Sequence, residues 1–455
     1  MTDAILVIGG GVAGIHVALN AAEYGCKVYL IDDTPSIGGI MARLDKTFPT
    51  NDCSICIEAP RMYEVDNHEN IEILTNTEVR RVSKKNGGFA VRLLKKAKFI
   101  DEEKCTGCGA CIQACPISVP DELDGKIGGT RKLVYMPFPQ AVPSAGVIDM
   151  RCRNGKMREK GACIGGCVVD CSQCRECPIA LCVKACIKEG KNAVLLWQSD
   201  KPMDIEVKSI VVATGLKPDE PEAGVYGYNV YENVITNLQF ERLMNAGGPT
   251  GGDIIRPSDK KHPHKIGWIQ CVGRGLKEGG LPYCSKVCCM IAAKQTIITK
   301  EHGPDVDTVV FHNDLKAYGK GFWGFYKKAL EHGVRYVRAK PYDVREDPEV
   351  KNVTVKYEDL DTGEIKEEEV ELLVLSMGLE ANDRNKRLAK VLGIELGEYG
   401  FFKEKDPLMN PLETNVEGIY LCGGATSPID ISESVIQAFA ASLKAVSRKL
   451  EPEVA

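Results

Sequence analysis

The sequence predicts an α/β chain of two Rossmann-like dinucleotide-binding domains, the first interrupted by an inserted α+β ferredoxin domain. Three observations carry this. A strand, glycine turn, helix, strand and acid open the chain from Ala4. A Cys-x2-Cys-x2-Cys-x3-Cys run followed by proline stands at 105–116. A second apolar strand, Lys265–Cys271, leads into a helical stretch and another strand, the order of a second nucleotide fold.

The length of 455 residues leaves room for two or three cores. The net charge of −5 offers no basic field, so nucleic acid is not an expected partner. No charged and apolar leader precedes the first strand, and no run of ~18 apolar residues occurs. The 20 cysteines cluster at metal-ligand spacings. Reduced thiols and metal in a cytoplasmic chain without direct membrane insertion are therefore expected, rather than the disulfides of a secreted protein.

The first element is the strand Ala4–Ile8, with Gly9, Gly11 and Gly14 behind it and a helix to about Tyr24. Gly9 permits the tight turn, Gly11 lets backbone approach a pyrophosphate, and Gly14 lets helix and sheet pack closely. The helix N-terminus faces the phosphates. Val28–Ile31 ends at Asp32, about twenty residues beyond the glycines, where an acid accepts from an adenosine ribose. Gly39, in the pair after this strand, joins the same set.

Two later segments specify the dinucleotide. Ile210–Gly215 is an apolar strand ending Ala-Thr-Gly, and TNVEGIYLCGG at 414–424 is another ending in glycines. Both resemble the flavin-domain strands of the thioredoxin and glutathione reductase superfamily. FAD is therefore expected, with Thr214, Gly215, Gly423 and Gly424 beside it. In that superfamily the closing strand usually ends Gly-Asp; here Gly424 stands in place of the acid.

Glu78–Lys98 reads as a hairpin turning at Asn86-Gly87-Gly88, and about a hundred residues then intervene before Ala-Thr-Gly. They hold Cys105, Cys108, Cys111, Cys115, Cys152, Cys163, Cys167, Cys171, Cys174, Cys177, Cys182 and Cys186. Leu181–Cys186 mirrors Ala110–Cys115. Because the fourth ligand of such a run crosses to the other cluster, one 4Fe–4S cluster is expected on Cys105, Cys108, Cys111 and Cys186. A second is expected on Cys174, Cys177, Cys182 and Cys115, with Cys171 replacing Cys174 if the register differs. Cys152, Cys163, Cys167 and Cys171 remain for a fourth cluster, a zinc ion, or spare thiols.

In the second nucleotide fold, helix is expected from Lys286 to about Lys300, strand at Asp307–His312, and a closing strand at Val370–Gly378. After its first strand the sequence reads CVGRGLKEGGLPYCSKVCC. Gly273 and Gly275 begin a phosphate turn, but Leu276, Lys277 and Glu278 replace its end. NAD(P)H binding is therefore not expected. Cys271, Cys284, Cys288 and Cys289 occupy the place, with metal, a disulfide centre and structural thiols all open on spacing alone.

FPTNDCSIC (48–56), EKCTGCGACIQACP (103–116), MPFPQAVPSAGVID (136–149), QCVG…YCSKVCCM (270–290), AYGKGFWGFY (317–326) and DISESVIQAFAAS (430–442) are similar to the A-subunit family of heterodisulfide reductases, nearly end to end. That resemblance implies a third 4Fe–4S cluster on Cys271, Cys284, Cys288 and Cys289, close to FAD. It implies Lys294 and Glu241 near the isoalloxazine, where a lysine stabilises reduced flavin and an acid tunes its protonation. It further implies electron bifurcation between ferredoxin and a higher-potential disulfide or other acceptor. The implied partners are B- and C-like heterodisulfide reductase subunits, ferredoxin, and a hydrogenase- or formate dehydrogenase-linked iron–sulfur protein, around a homodimer. Longer members carry an extra N-terminal domain and a C-terminal ferredoxin module that this sequence does not show, so different electron exits are expected.

The expected boundaries are 1–99, 198–264 and 379–455 for the FAD domain, 100–197 for the insert and 265–378 for the cysteine-bearing second domain. Two other readings compete with a bifurcating subunit. One is a non-bifurcating subunit of a quinone-linked or aromatic acyl-coenzyme A reductase complex. The other is a direct reductase working through the Cys-x2-Cys pair Cys53 and Cys56, which are expected as structural thiols beside the flavin.

Overall fold

The computed structural model describes residues 3–149, 180–274 and 280–448. Ile5–Ile8 is buried along its whole length, as a central parallel strand must be. It pairs in parallel with Val28–Ile31 on one side and Ser209–Val212 on the other. Ile71–Leu74 and Ile419–Leu421 complete a five-stranded parallel sheet. The helices Val12–Glu23 and Ile431–Ser447 pack together on one face, where Ala18, Ala21, Ala438, Ala441 and Ala445 allow close approach. The other face is covered by an antiparallel sheet of Thr77–Lys85, Gly88–Lys95 and Lys201–Val207. Its hairpin turns at Asn86 and Gly87, both at positive φ, the pairing that suits a twisted two-residue turn.

The insert leaves this sheet intact. Lys95 and Lys201, on either side of it, are cross-strand partners. Its two ends are tied by the bridge Ile100–Val194 and by the Asp101 amide donating to Ala193 O at 2.8 Å. Within it, Ile117, Val119, Leu133, Val134, Ile148, Val194 and Leu196 form a small separate core with Cys115 and Cys186.

A seven-stranded sheet builds the second domain, in the order Val234–Thr236, Leu372–Met377, Lys265–Val272, Asp307–His312, Arg335–Glu346, Val353–Asp359, Ile365–Val370. Three expectations are corrected here. The strand Val234–Thr236 and the helix Asn237–Met244 lie in this domain rather than in the flavin stretch 198–264: Val234 to Thr236 pair with Leu373 to Leu375, and Phe240 packs on Trp268. The expected closing strand from Val370 is two strands broken at Glu371, whose carboxylate accepts the His264 amide. The helix starts at Cys288 rather than Lys286, which has φ 65° and cannot continue a right-handed turn. The two passages between the domains, Leu216–Pro218 and Leu379–Ala381, pair antiparallel.

Candidate redox site

The glycine turn is sterically forced. A Cβ on Gly14 would stand 1.8 Å from Gly9 O, and one on Gly39 would stand 2.9 Å from Gly11 Cα. The helix Val12–Glu23 has no side-chain cap and no acid in its first turn. Its first amides and the positive end of its dipole thus offer an anion cradle. These features fit the pyrophosphate of a dinucleotide. A Gly14→Ala variant should lose bound FAD; purified variant retaining flavin at the wild-type ratio contradicts this.

Asp32 sits half-buried beside that turn. One carboxylate oxygen accepts the Gly10 amide at 2.7 Å and the other accepts from Thr34. Burial raises its pKa against those hydrogen bonds. Thr214 donates to Asn385 Oδ1 at 3.2 Å, and the Gly423 amide donates to Gln437 Oε1 at 2.9 Å. A Cβ on Gly424 would meet Leu216 at 2.9 Å, so that position has no room for the superfamily's acid without a shift.

In the insert, Cys105, Cys108, Cys111 and Cys186 line one cavity together with Ile100, Met136 and Val194. Burial first, and then the neighbouring thiols, push Cys111 up to about 11. Four thiols that repel one another's charge are a donor set suited to iron, which supplies the missing positive charge. Cys186 Sγ accepts the Ala193 amide at 3.2 Å, the kind of contact that tunes a cluster's potential. Cys115 is buried and directed to Ile117 O at 3.6 Å; it does not line this cavity. Cys182 packs against the insert's core. Cys152, Cys163, Cys167, Cys171, Cys174 and Cys177 lie outside the described residues. Among the described residues, no three His, Cys, Asp or Glu side chains converge as on a single ion; the insert thiols surround a space instead.

The second cysteine set sits where a nucleotide loop would follow the strand Lys265–Val272. The register of that strand slips between Ile269 and Val272, and Cys271 has φ 61°. A bulge of this kind re-aims a side chain at a site. Cys288 and Cys289 are the first two residues of the helix Cys288–His302, where the dipole favours thiolates. Their mutual hydrogen bond raises Cys288 and lowers Cys289. Cys271 is raised by burial and by Cys289, against a hydrogen bond from Arg274. Cys284 acts electrostatically on both Cys271 and Cys288, so the four thiols form one neighbourhood.

Lys294 and Glu241 are neither solvated nor on the surface. Lys294 Nζ lies 2.6 Å from Glu241 Oε1, with each side chain 2% exposed. Lys294 also donates to Lys46 O at 2.7 Å, Gln295 donates to Glu241 at 2.8 Å, and the Asp45 amide donates to the other Glu241 oxygen at 3.2 Å. The pair thus joins the second domain to the loop that follows Gly39.

Sequence reasoning missed the links around it. Arg242 grips Asp124 of the insert through two bonds, 2.8 and 3.1 Å, and donates to Arg43 O. Lys286, between Cys284 and Cys288, donates to both oxygens of Glu433 at 2.7 Å, beside the start of the helix Ile431–Ser447. No local motif marks these; their signal is pairing across more than a hundred residues.

Cys53 and Cys56, expected as structural thiols, are joined in a disulfide at the start of the helix Ser54–Asn67. A sharp turn into that helix brings the two side chains together, with the Cys56 amide donating to Cys53 Sγ at 3.3 Å.

Residues 4–51 match the model of the FAD dependent oxidoreductases, and 98–121 match the 4Fe-4S binding domain. The whole chain matches a protein of Archaeoglobus profundus, itself described as like the A-subunit of heterodisulfide reductase, at 39% identity, covering 68% of that protein. The chain belongs to the heterodisulfide reductase A-subunit family. The A-type iron-sulfur subunit of the CoB–CoM heterodisulfide reductase of Methanocaldococcus jannaschii is 45% identical over 95% of this chain and 62% of its own length. The A-type subunit of the H(2):CoB-CoM heterodisulfide,ferredoxin reductase of Methanothermobacter thermautotrophicus is 41% identical over 99% of this chain and 65% of its own length. The chain thus spans somewhat less than two thirds of those two relatives. Thioredoxin reductase of T. acidophilum has the same fold, with TM-score 0.51 at 15% identity over 97% of each chain. As a family member this chain is an FAD and 4Fe–4S protein of the oxidoreductase class. Among the described residues, no helix is long and apolar enough to cross a membrane.

Proposed function

We propose that this chain is the electron-transfer hub of a heterodisulfide reductase-like complex, exchanging electrons among a low-potential ferredoxin, a higher-potential disulfide or other acceptor, and cluster-bearing partner subunits. The carrying observation is the thiol neighbourhood of Cys271, Cys284, Cys288 and Cys289 in the place of a nicotinamide-nucleotide loop. It supports a domain that delivers electrons through iron instead of a hydride from NAD(P)H. Bound flavin would convert electron pairs into single electrons.

The chain's residues would divide the work as follows. The glycine turn and the helix Val12–Glu23 hold the pyrophosphate. Cys271, Cys284, Cys288 and Cys289 hold a cluster on the second domain. Cys105, Cys108, Cys111 and Cys186 hold another in the insert, and Cys174, Cys177, Cys182 and Cys115 a third. Lys294 and Glu241 fix charge beside the flavin, and Arg242 keeps insert, flavin loop and second domain in one geometry. Bifurcation, the cytoplasmic setting, the B- and C-like partner subunits and a homodimeric core belong to the same proposal.

Anaerobic stopped-flow reduction tests it. Reduced ferredoxin should bleach the flavin and clusters within the mixing experiment, whereas NADH and NADPH should leave both oxidised. Rapid bleaching by NADPH contradicts the reading. The competing direct-reductase reading makes a different demand. In the hub, the double variant Cys53→Ser/Cys56→Ser keeps its iron and most of its ferredoxin-linked electron transfer; near-complete loss of that transfer with iron intact favours the disulfide as the working group.

A further inference from the structure

Val142 belongs to the insert by sequence and to the flavin domain by packing. It is fully buried in the core that holds Ala13, Ile37 and Met62, and Phe138 packs against the same core. Its backbone is matched to the loop that leaves Asp32. The Val142 amide donates to Ser36 Oγ at 2.9 Å, and its carbonyl accepts the Ile37 amide at 3.0 Å. The buried Ser36 hydroxyl lies between Ile37 O at 2.9 Å and Val142 O at 3.1 Å.

That loop borders the dinucleotide's place on both sides. Before Ser36, the Thr34 hydroxyl spans Asp32 Oδ1 at 2.6 Å and Ser36 O at 2.7 Å. After it, the Gly38 amide donates to Gly10 O at 2.7 Å, and a Cβ on Gly10 would meet Ile37 Cγ2 at 2.6 Å. The loop from Asp32 to Gly39 is therefore pressed between Val142 and the glycine turn. Its inner polar groups are satisfied by Val142, and leaving them unpaired in a core would be costly.

The same segment meets the insert's thiol cavity at both ends. Met136 and Gly146 line that cavity. A Cβ on Gly107, between Cys105 and Cys108, would meet Ser144 Oγ at 2.9 Å and Met136 Cε at 3.4 Å. Met136–Gly146 thus runs from the cavity wall into the flavin core and back. A second tie stands beside it. Lys98, buried, donates to Pro35 O at 3.0 Å and pairs with Glu102, next to Asp101, whose carbonyl accepts the Cys105 amide at 3.0 Å. Metal binding to a set of thiolates is folding free energy for the chain around it, so iron in this cavity would order the wall that carries Val142.

We infer that Val142 and Ser36 are positioning residues for FAD: iron bound in the insert fixes Met136–Gly146, and Val142 passes that order to the loop Asp32–Gly39. Both act through the loop, without touching the cofactor. The inference rests on the FAD and cluster readings and adds a dependence of one cofactor's affinity on the other's presence. Such a dependence is reciprocal in binding free energy.

The test uses the full chain purified without oxygen, with and without the double change Cys108→Ala/Cys111→Ala, which takes two ligands from the insert's cavity. Hydrogen exchange over 33–39, read by mass spectrometry on flavin-free protein, should rise about tenfold when those ligands are lost. Exchange at Ser209–Val212, in the central sheet, should stay slow and controls for folding. FAD affinity, followed by flavin fluorescence, should fall about tenfold in the ligand variant and about tenfold in Ser36→Ala, which strands the Val142 amide. Combined, the two changes should cost about tenfold rather than about a hundredfold, because both break one connection. If Ser36→Ala does not fold, the exchange comparison decides alone. Exchange over 33–39 that ignores the loss of insert iron, or losses of affinity that multiply, overturns the inference while the FAD and cluster readings stand. A wild-type chain that takes up no FAD, or whose insert takes up no iron, overturns the reading concerned and the inference with it.

Discussion

Cys288→Ser should remove about four irons per chain, one cubane's worth, while FAD and the iron of the insert remain. The residue is a sensitive point because it opens the helix Cys288–His302, is buried, and touches the electrostatics of Cys271, Cys284 and Cys289 at once. The flavin would then lose its neighbour on the second domain. Ferredoxin-linked reduction of a downstream acceptor should fall by orders of magnitude. The helix itself should survive, since Met290, Ala293 and Ile297 pack into a core with Trp268 and Phe240. Iron analysis and EPR of the variant check this. Unchanged iron with unchanged turnover would show that the four thiols hold no cluster.

Lys294→Met should be among the most destabilising single changes in the chain. It strands a Glu241 carboxylate at 2% exposure, and removing one partner of a buried pair costs about 3–5 kcal/mol. Glu241 would keep Gln295 and the Asp45 amide as donors, which argues for the lower end of that range. The double variant Lys294→Met/Glu241→Leu should recover much of the loss, because the uncompensated charge is gone. Recovered stability should not restore function. On the proposal that this pair lies beside the flavin, the flavin midpoint potential should move in the double variant as well as in the single one. Thermal midpoints at fixed FAD and a spectroscopic redox titration separate the two effects. Equal thermal midpoints for wild type and Lys294→Met would contradict the buried pair.

The parts of this molecule that could be read from the sequence are those whose physics is local. The Gly9–Gly14 turn is legible because a single missing Cβ decides each contact within a few residues. The hairpin at Asn86-Gly87 is legible because two positive φ values select those residues. The insert is legible because closely spaced cysteines followed by proline are a local pattern, and residues 98–121 match a 4Fe-4S binding domain. The misplacement of Val234–Met244 has the opposite origin. A three-residue strand carries almost no periodicity, and its place is set by pairing with Leu373–Leu375, well over a hundred residues away. The same holds at Cys271, whose spacing is visible but whose left-handed backbone is not, and at Lys286, whose partner Glu433 lies on the far side of the chain. Glu58 looks like an ordinary acid on an amphipathic helix; only the packing of that helix against the Gly38 loop buries it.

The interdomain contacts also bear on the proposal that the second domain carries iron in place of a nicotinamide nucleotide. In a shuttling two-domain fold, relative motion is the default expectation. Here the bonds of Lys294 to Lys46 O and of the Asp45 amide to Glu241, with Arg242–Asp124 and Lys286–Glu433, tie the cysteine-bearing domain to the flavin domain and to the insert. Fixed distances suit electron transfer between stationary cofactors, as hydride delivery by a mobile nucleotide does not require.

The most direct measurement is the ratio of iron to FAD in the anaerobically purified chain, with an EPR-monitored potentiometric titration that counts cluster signals. About twelve irons per FAD, in three separately titrating clusters, is the predicted result, and about sixteen adds a cluster at Cys152, Cys163, Cys167 and Cys171. About eight irons, with only the insert's clusters titrating, would contradict the cluster at Cys271, Cys284, Cys288 and Cys289 and with it the hub.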